Sequence, residues 1–166
     1  MRRTWAGLAV AAVAVLGLTG CGGGDGDKAA ATACDVEGGT ATTATGAVTV
    51  GLKEWTITPQ PATFAAGPVK VTARNDGTEK HEVVIARAPI NDLKVVDGAV
   101  DEDALPAGAF IGEIEAFDAG GTCEGVFELS PGTYSLFCNV VETEADGTRE
   151  SHFEQGMVSA VTVGQG

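Results

Sequence analysis

The side chains with the most distinctive chemistry lie at the two ends of one stretch, Cys138 to Met157, which reads Cys-Asn-Val-Val-Glu-Thr-Glu-Ala-Asp-Gly-Thr-Arg-Glu-Ser-His-Phe-Glu-Gln-Gly-Met. Beyond residue 20 the chain contains only two histidines, His81 and His152, and one methionine, Met157. Each has an ordinary reading when taken alone: a polar histidine at a strand entry, a core methionine, a buried cysteine. Together, His81, Cys138, His152 and Met157 make a ligand set. Soft sulfur favours Cu(I), imidazole accepts either oxidation state, and two His with one Cys in a plane and a distant axial Met is a copper geometry. The expected cofactor is therefore a single copper ion.

The elements that position these residues begin after a leader. Met1-Arg2-Arg3 precedes an uncharged apolar run from Trp5 to Leu18, the layout of a secretory signal and short for a membrane span. The run ends in Leu18-Thr19-Gly20-Cys21, which resembles the lipobox of bacterial lipoproteins, where cleavage precedes the cysteine and its sulfur carries lipid. That resemblance implies residues 1–20 as signal peptide, lipidation at Cys21, and an extracytoplasmic protein anchored to the cell membrane. Residues 21–46 are Gly, Ala and Thr with a few acids and no apolar period, so they read as a flexible linker, with the domain spanning 47–166. Arg2-Arg3 leaves twin-Arg export open beside general secretion.

Removing the leader takes away two arginines and no acids, which moves the formal charge from −13 to −15. Such a surface excludes nucleic acid as a partner and favours a redox protein that is basic or membrane-bound, the chain itself being monomeric. With Cys21 assigned to lipid and Cys138 to metal, Cys34 and Cys123 remain as a disulfide pair for an oxidising compartment. The rival is a Cys123–Cys138 bridge across a hairpin at Pro131-Gly132, which would abolish the metal site.

The domain reads as short strands: 48–52, 55–58, 68–74, 81–86, 110–117, 124–129, 133–139 and 158–163. In Val69-Lys70-Val71-Thr72-Ala73-Arg74 the apolar residues alternate, as in a strand with one buried face. Asn75-Asp76-Gly77 carries turn chemistry and leads to His81. Residues 87–109, with Pro89, Asp97-Gly98 and Pro106, form a connection longer than is usual, read as a crossover between sheets. Tyr134, Leu136 and Cys138 share one strand face, which directs the thiol inward. About eight strands without an amphipathic helix predict an all-β, Greek-key antiparallel β-sandwich.

Several of these segments resemble the cupredoxins, the small blue-copper domains: Glu54-Trp55-Thr56-Ile57-Thr58-Pro59, Ala65 to Val71, Asn75-Asp76-Gly77 leading to His81, Pro131 to Asn139, and His152-Phe153-Glu154-Gln155-Gly156-Met157. The resemblance covers residues 47–163. It implies His81, Cys138 and His152 as equatorial ligands, Met157 as the axial one, and one-electron exchange through an exposed imidazole, by position that of His152. Two departures stand out. Thirteen residues, Asn139 to Ser151, separate Cys138 from His152 where the family has only a few; and Glu82 follows His81 where many members have Asn, which puts the hydrogen bond that stiffens the ligand loop in doubt. On a strand Glu82 points away from His81, so it is not read as a ligand.

Three functions follow from these residues: an electron carrier, an envelope protein for copper storage or delivery, and a copper-free cupredoxin-like binding module. Enzymatic chemistry is not expected. Both histidines are assigned, which leaves no imidazole for a Ser-His-Asp arrangement. Glu113 and Glu115 alternate along a strand and read as a solvated face.

Overall fold

A computed structural model describes residues 34–39 and 43–165. The leader, the Leu18–Cys21 motif and most of the linker lie outside the described residues. Two sheets face each other. The larger contains β1 (Val36–Glu37), β9 (Phe110–Phe117), β6 (His81–Ala86), β11 (Gly132–Phe137), β14 (Val158–Gly164) and β4 (Thr63–Ala65), in that order. The smaller contains β10 (Thr122–Leu129), β5 (Gly67–Asn75), β2 (Gly46–Lys53) and β3 (Thr56–Gln60). Two short hairpins complete the fold, β7 (Val95–Val96) with β8 (Ala99–Val100), and β12 (Val141–Thr143) with β13 (Arg149–Ser151).

All eight expected strands are present, and the all-β sandwich with them. Most pairings are antiparallel; β2 with β5 and β14 with β4 run parallel. Alternation explains the inner faces. Val48, Val50 and Leu52 of β2, Val69, Val71 and Ala73 of β5, and Cys123, Phe127 and Leu129 of β10 all enter one core. Each large apolar side chain buried this way contributes about 1.5–3 kcal/mol relative to exposure. Tyr134 and Leu136 meet them from β11. The Tyr134 hydroxyl donates to Ser130 O (2.8 Å) and accepts from Ser130 N (3.0 Å), which fixes the corner that starts β11.

Two expectations about connections are corrected. The 87–109 segment is not a crossover between sheets, since it leaves β6 and returns as β9, the antiparallel neighbour of β6 in the same sheet. Its work is to cover that sheet's outer face. Ala88, Leu93 and Val100 pack there with Val84, Ala86 and Phe137 in a second apolar cluster. A sheet buried on both faces explains why Val83 to Ala86 is apolar without alternation. Nor is the Pro131-Gly132 corner a hairpin, because β10 and β11 belong to opposite sheets.

The expected linker holds structure at its end. Val36 and Glu37 pair with Ile114 and Glu113 as an edge strand. Cys34 just before them is disulfide-bonded to Cys123 on β10, while Cys138 is a free, buried cysteine. The bridge therefore staples an edge of the larger sheet to the smaller one. With a sequence separation of 89, it restricts a long unfolded loop and contributes on the order of 4 kcal/mol.

Candidate metal centre

Three loops at one end of the sandwich bring the predicted ligands together. His81 opens β6 after the turn that follows β5. That turn is organised by Asn75, which is 1% exposed: its side-chain amide donates to Glu79 O (2.7 Å) and Phe117 O (3.1 Å), and its carbonyl oxygen accepts from Gly77 N (3.0 Å). Gly77 is required by close approach. A Cβ there would stand 2.8 Å from His81 Nε2 and closer still to the Glu54 carboxylate.

Cys138 follows the last residue of β11, and backbone bonds tie it to the other two ligands. Cys138 N donates to Met157 O (3.0 Å), Met157 N to His152 O (2.9 Å), and His152 N to Val140 O (3.1 Å). All four predicted ligands are buried, His81, Cys138, His152 and Met157 each at 0% exposure. The imidazole Nδ1 atoms of His81 and His152 approach to 3.2 Å, and Cys138 Sγ lies 3.3 Å from His152 Nδ1. The donor atoms of the two histidines and the cysteine all fall within 4.8 Å of one another. Met157 is held beside them through the backbone bonds just described.

The far side of each ring faces a carboxylate: His81 Nε2 is 3.3 Å from Glu54 Oε1, and His152 Nε2 is 3.6 Å from Glu79 Oε2. Neither Nε2 makes a well-aligned hydrogen bond to its carboxylate, yet a negative charge on that side favours the Nε2–H tautomer, which leaves the Nδ1 lone pair for a metal. Two lone pairs then converge, and the single thiol proton answers one of them. Burial lowers the pKa of both histidines, that of His152 further through the neighbouring His81, so both rings are neutral near pH 7. Burial also pushes the Cys138 thiol up to about 12, against the pull of the backbone N–H groups of Glu82 and Val140. A neutral, dry pocket of two imidazole lone pairs and one thiol, with those two N–H groups ready to receive a thiolate, fits one copper ion. Loading displaces the thiol proton.

The surroundings revise two sequence expectations, the exposure of His152 and the solvation of Glu113, and give the Asn139–Ser151 insertion the form of the hairpin excursion its Asp146-Gly147 turn suggests. His152 is not an exposed imidazole. Trp55 packs edge-on against it with ring centroids 5.0 Å apart, Glu79 covers Nε2, and Glu150 from β13 also comes within 4.8 Å. The Asn139–Ser151 insertion is the β12–β13 hairpin, anchored where Ser151 Oγ donates to Gly98 O on the 87–109 excursion. And Glu113, read as solvated, is half-buried; desolvation and the nearby Glu102, Glu115, Glu82 and Glu37 push its carboxyl up to about 8.

Glu82 resolves the question its position raised. It does not join the ligands, yet its carboxylate accepts the backbone N–H of Asn139 (2.8 Å), the residue after Cys138. The Asn139 side chain is gripped in turn by Val100 N (2.6 Å), Val100 O (3.0 Å) and Glu102 Oε1 (2.8 Å). The thiolate loop is thus stiffened by a glutamate. Sequence reasoning assigned no role to Glu54 or Glu79. The nearest signal was their nearness to recognised segments, Glu54 opening one and Glu79 standing two residues before His81.

No protein-family model and no curated protein matches the sequence. Solved structures do. Auracyanin B aligns at 18% identity over 75% of this chain and 93% of that one, with a TM-score of 0.56. A dithionite-reduced auracyanin from Roseiflexus castenholzii aligns at 19% identity over 73% and 98%, TM-score 0.48. Auracyanin A, a "blue" copper protein from Chloroflexus aurantiacus, aligns at 20% identity over 71% and 99%, TM-score 0.47. The likeness to auracyanin B shows that the chain has the cupredoxin fold.

Proposed function

We propose that this protein is an exported, lipid-anchored one-electron carrier whose copper is held by His81, Cys138, His152 and Met157. The observation that carries the reading is the convergence of two imidazole Nδ1 atoms and one thiol in a fully buried pocket. Bound copper would supply the couple between Cu(I) and Cu(II). The chain's own residues do the rest: Glu54 and Glu79 orient the imidazoles, Asn139 and Glu82 hold the thiolate loop, and the core excludes water. A site held this firmly limits rearrangement between oxidation states. The same closure argues against storage or delivery, which needs ready exchange of the metal. Export is supported by the Cys34–Cys123 disulfide, a bond of oxidising compartments, and anchoring by the Leu18–Cys21 motif.

Titration with Cu(II), followed by visible absorption, tests this reading. A strong thiolate-to-copper band that vanishes in Cys138→Ser is expected. A folded protein with Cys138 as a free thiol and no such band would overturn it.

A further inference from the structure

If electrons enter and leave this molecule, they do not do so through an exposed imidazole, because both histidine rings are at 0% exposure. Trp55 is the half-buried aromatic ring in contact with His152, at 5.0 Å between centroids and 71° between planes. Carboxylates surround this end of the domain. Glu54 lies behind His81, and Glu150, Glu54, Glu142 and Glu144 all act electrostatically on Glu79. Among the described residues none of these five glutamates forms an ion pair with a lysine or arginine. A cluster of glutamates without a lysine or arginine partner, at the same end of the domain as a half-buried indole, is a docking surface, since tryptophan supplies a large rigid contact and the carboxylates supply steering.

We propose that Trp55, together with Glu54, Glu79, Glu142, Glu144 and Glu150 at the same end of the domain, forms the surface on which a basic one-electron redox protein docks, with the indole as its point of contact. The inference rests on the carrier reading for its electron. In that exchange one electron leaves the reduced protein and enters the partner's oxidised centre; no bond forms or breaks, and no proton moves. The charge of these carboxylates sets the association rate and makes it fall with salt. The indole sets the closeness of the two centres.

Full-length protein in detergent, probed with cytochrome c as a basic haem protein, provides the test. Zinc-substituted cytochrome c cannot exchange an electron with the ground-state protein, so its binding is read independently of copper. Its addition shifts the Trp55 indole N–H resonance, and Glu142→Gln with Glu144→Gln, on the exposed hairpin, weakens binding severalfold and flattens its salt dependence. With the copper-loaded protein, Trp55→Leu keeps the visible band while slowing reduction of ferricytochrome c about tenfold. An unmoved Trp55 resonance, or an unchanged rate in Trp55→Leu with the band intact, overturns the proposal. Absence of the band in the parent protein would instead defeat the carrier reading and leave the binding measurement standing.

Discussion

His81 and His152 each have a glutamate behind Nε2, yet the two carboxylates sit in opposite conditions. Glu54 is held down to about 2, chiefly by the backbone N–H of Thr78, with that of Glu79 and the Thr78 hydroxyl adding to it against the cost of burial. Glu79 is pushed upward, first by burial and then by Glu150, Glu54, Glu142 and Glu144. The fold itself supplies the donors that hold the negative charge behind His81. Behind His152 the charge is left to the ring and to whatever the ring binds. One side of the site is thus complete in the polypeptide, and the other is completed by the metal.

The largest blow to the complete side is Asn75→Ala. It removes three hydrogen bonds from a side chain in a buried turn, and a loss of about 3 kcal/mol in urea unfolding is expected, together with loss of the copper band. Next is a paired comparison. Glu54→Gln lowers the stability of the metal-free protein by about 1–2 kcal/mol, because a neutral amide accepts less from Thr78 and Glu79 than a carboxylate does. Glu79→Gln leaves metal-free stability level or higher by under about 1 kcal/mol, since it removes a repelled charge. Both weaken copper by roughly 10- to 100-fold in competition titrations, as outer partners of ligating histidines do. If the two variants shift metal-free stability alike, the asymmetry is wrong.

Glu113 extends the contrast to a carboxyl remote from the imidazoles. Its folded value of about 8 lies above its ordinary 4.5, so between those pH values the folded chain holds a proton that the unfolded chain has lost. Stability present at low pH is therefore lost as pH rises through that window. Glu113→Gln flattens the dependence and adds about 1 kcal/mol near pH 8, read from thermal melts across pH. The smallest effect is at the hairpin tip. Replacing residues 144–148 by a two-residue Asn-Gly turn changes stability by under about 0.5 kcal/mol and leaves the band in place, because closure entropy varies slowly with loop length.

Much of this architecture is legible in the residues. Alternation in Val69 to Arg74, the Asn75-Asp76-Gly77 turn, and the shared face of Tyr134, Leu136 and Cys138 all report local periods that the sheets preserve. The convergence of His81, Cys138 and His152 was readable because so few soft ligands exist in the chain. What escaped depends on layers meeting. The 87–109 segment reads as a crossover in the sequence because length does not say which sheet a chain returns to. The burial of His152 was missed because its cover arrives from Trp55, Glu79 and the inserted hairpin, three places with no common sequence signal. Val36 and Glu37 are too few to show a period, and their pairing with β9 comes from tertiary contact.

The chain of backbone bonds from Cys138 to Met157, on to His152 and back to Val140 closes a small circuit around the ligands. The segment from Val141 to Ser151 hangs outside that circuit, entering and leaving it at adjacent points. Such a segment is an exchangeable part. Its length and charge can change without moving a ligand, while the six residues from His152 to Met157 close a loop of one length.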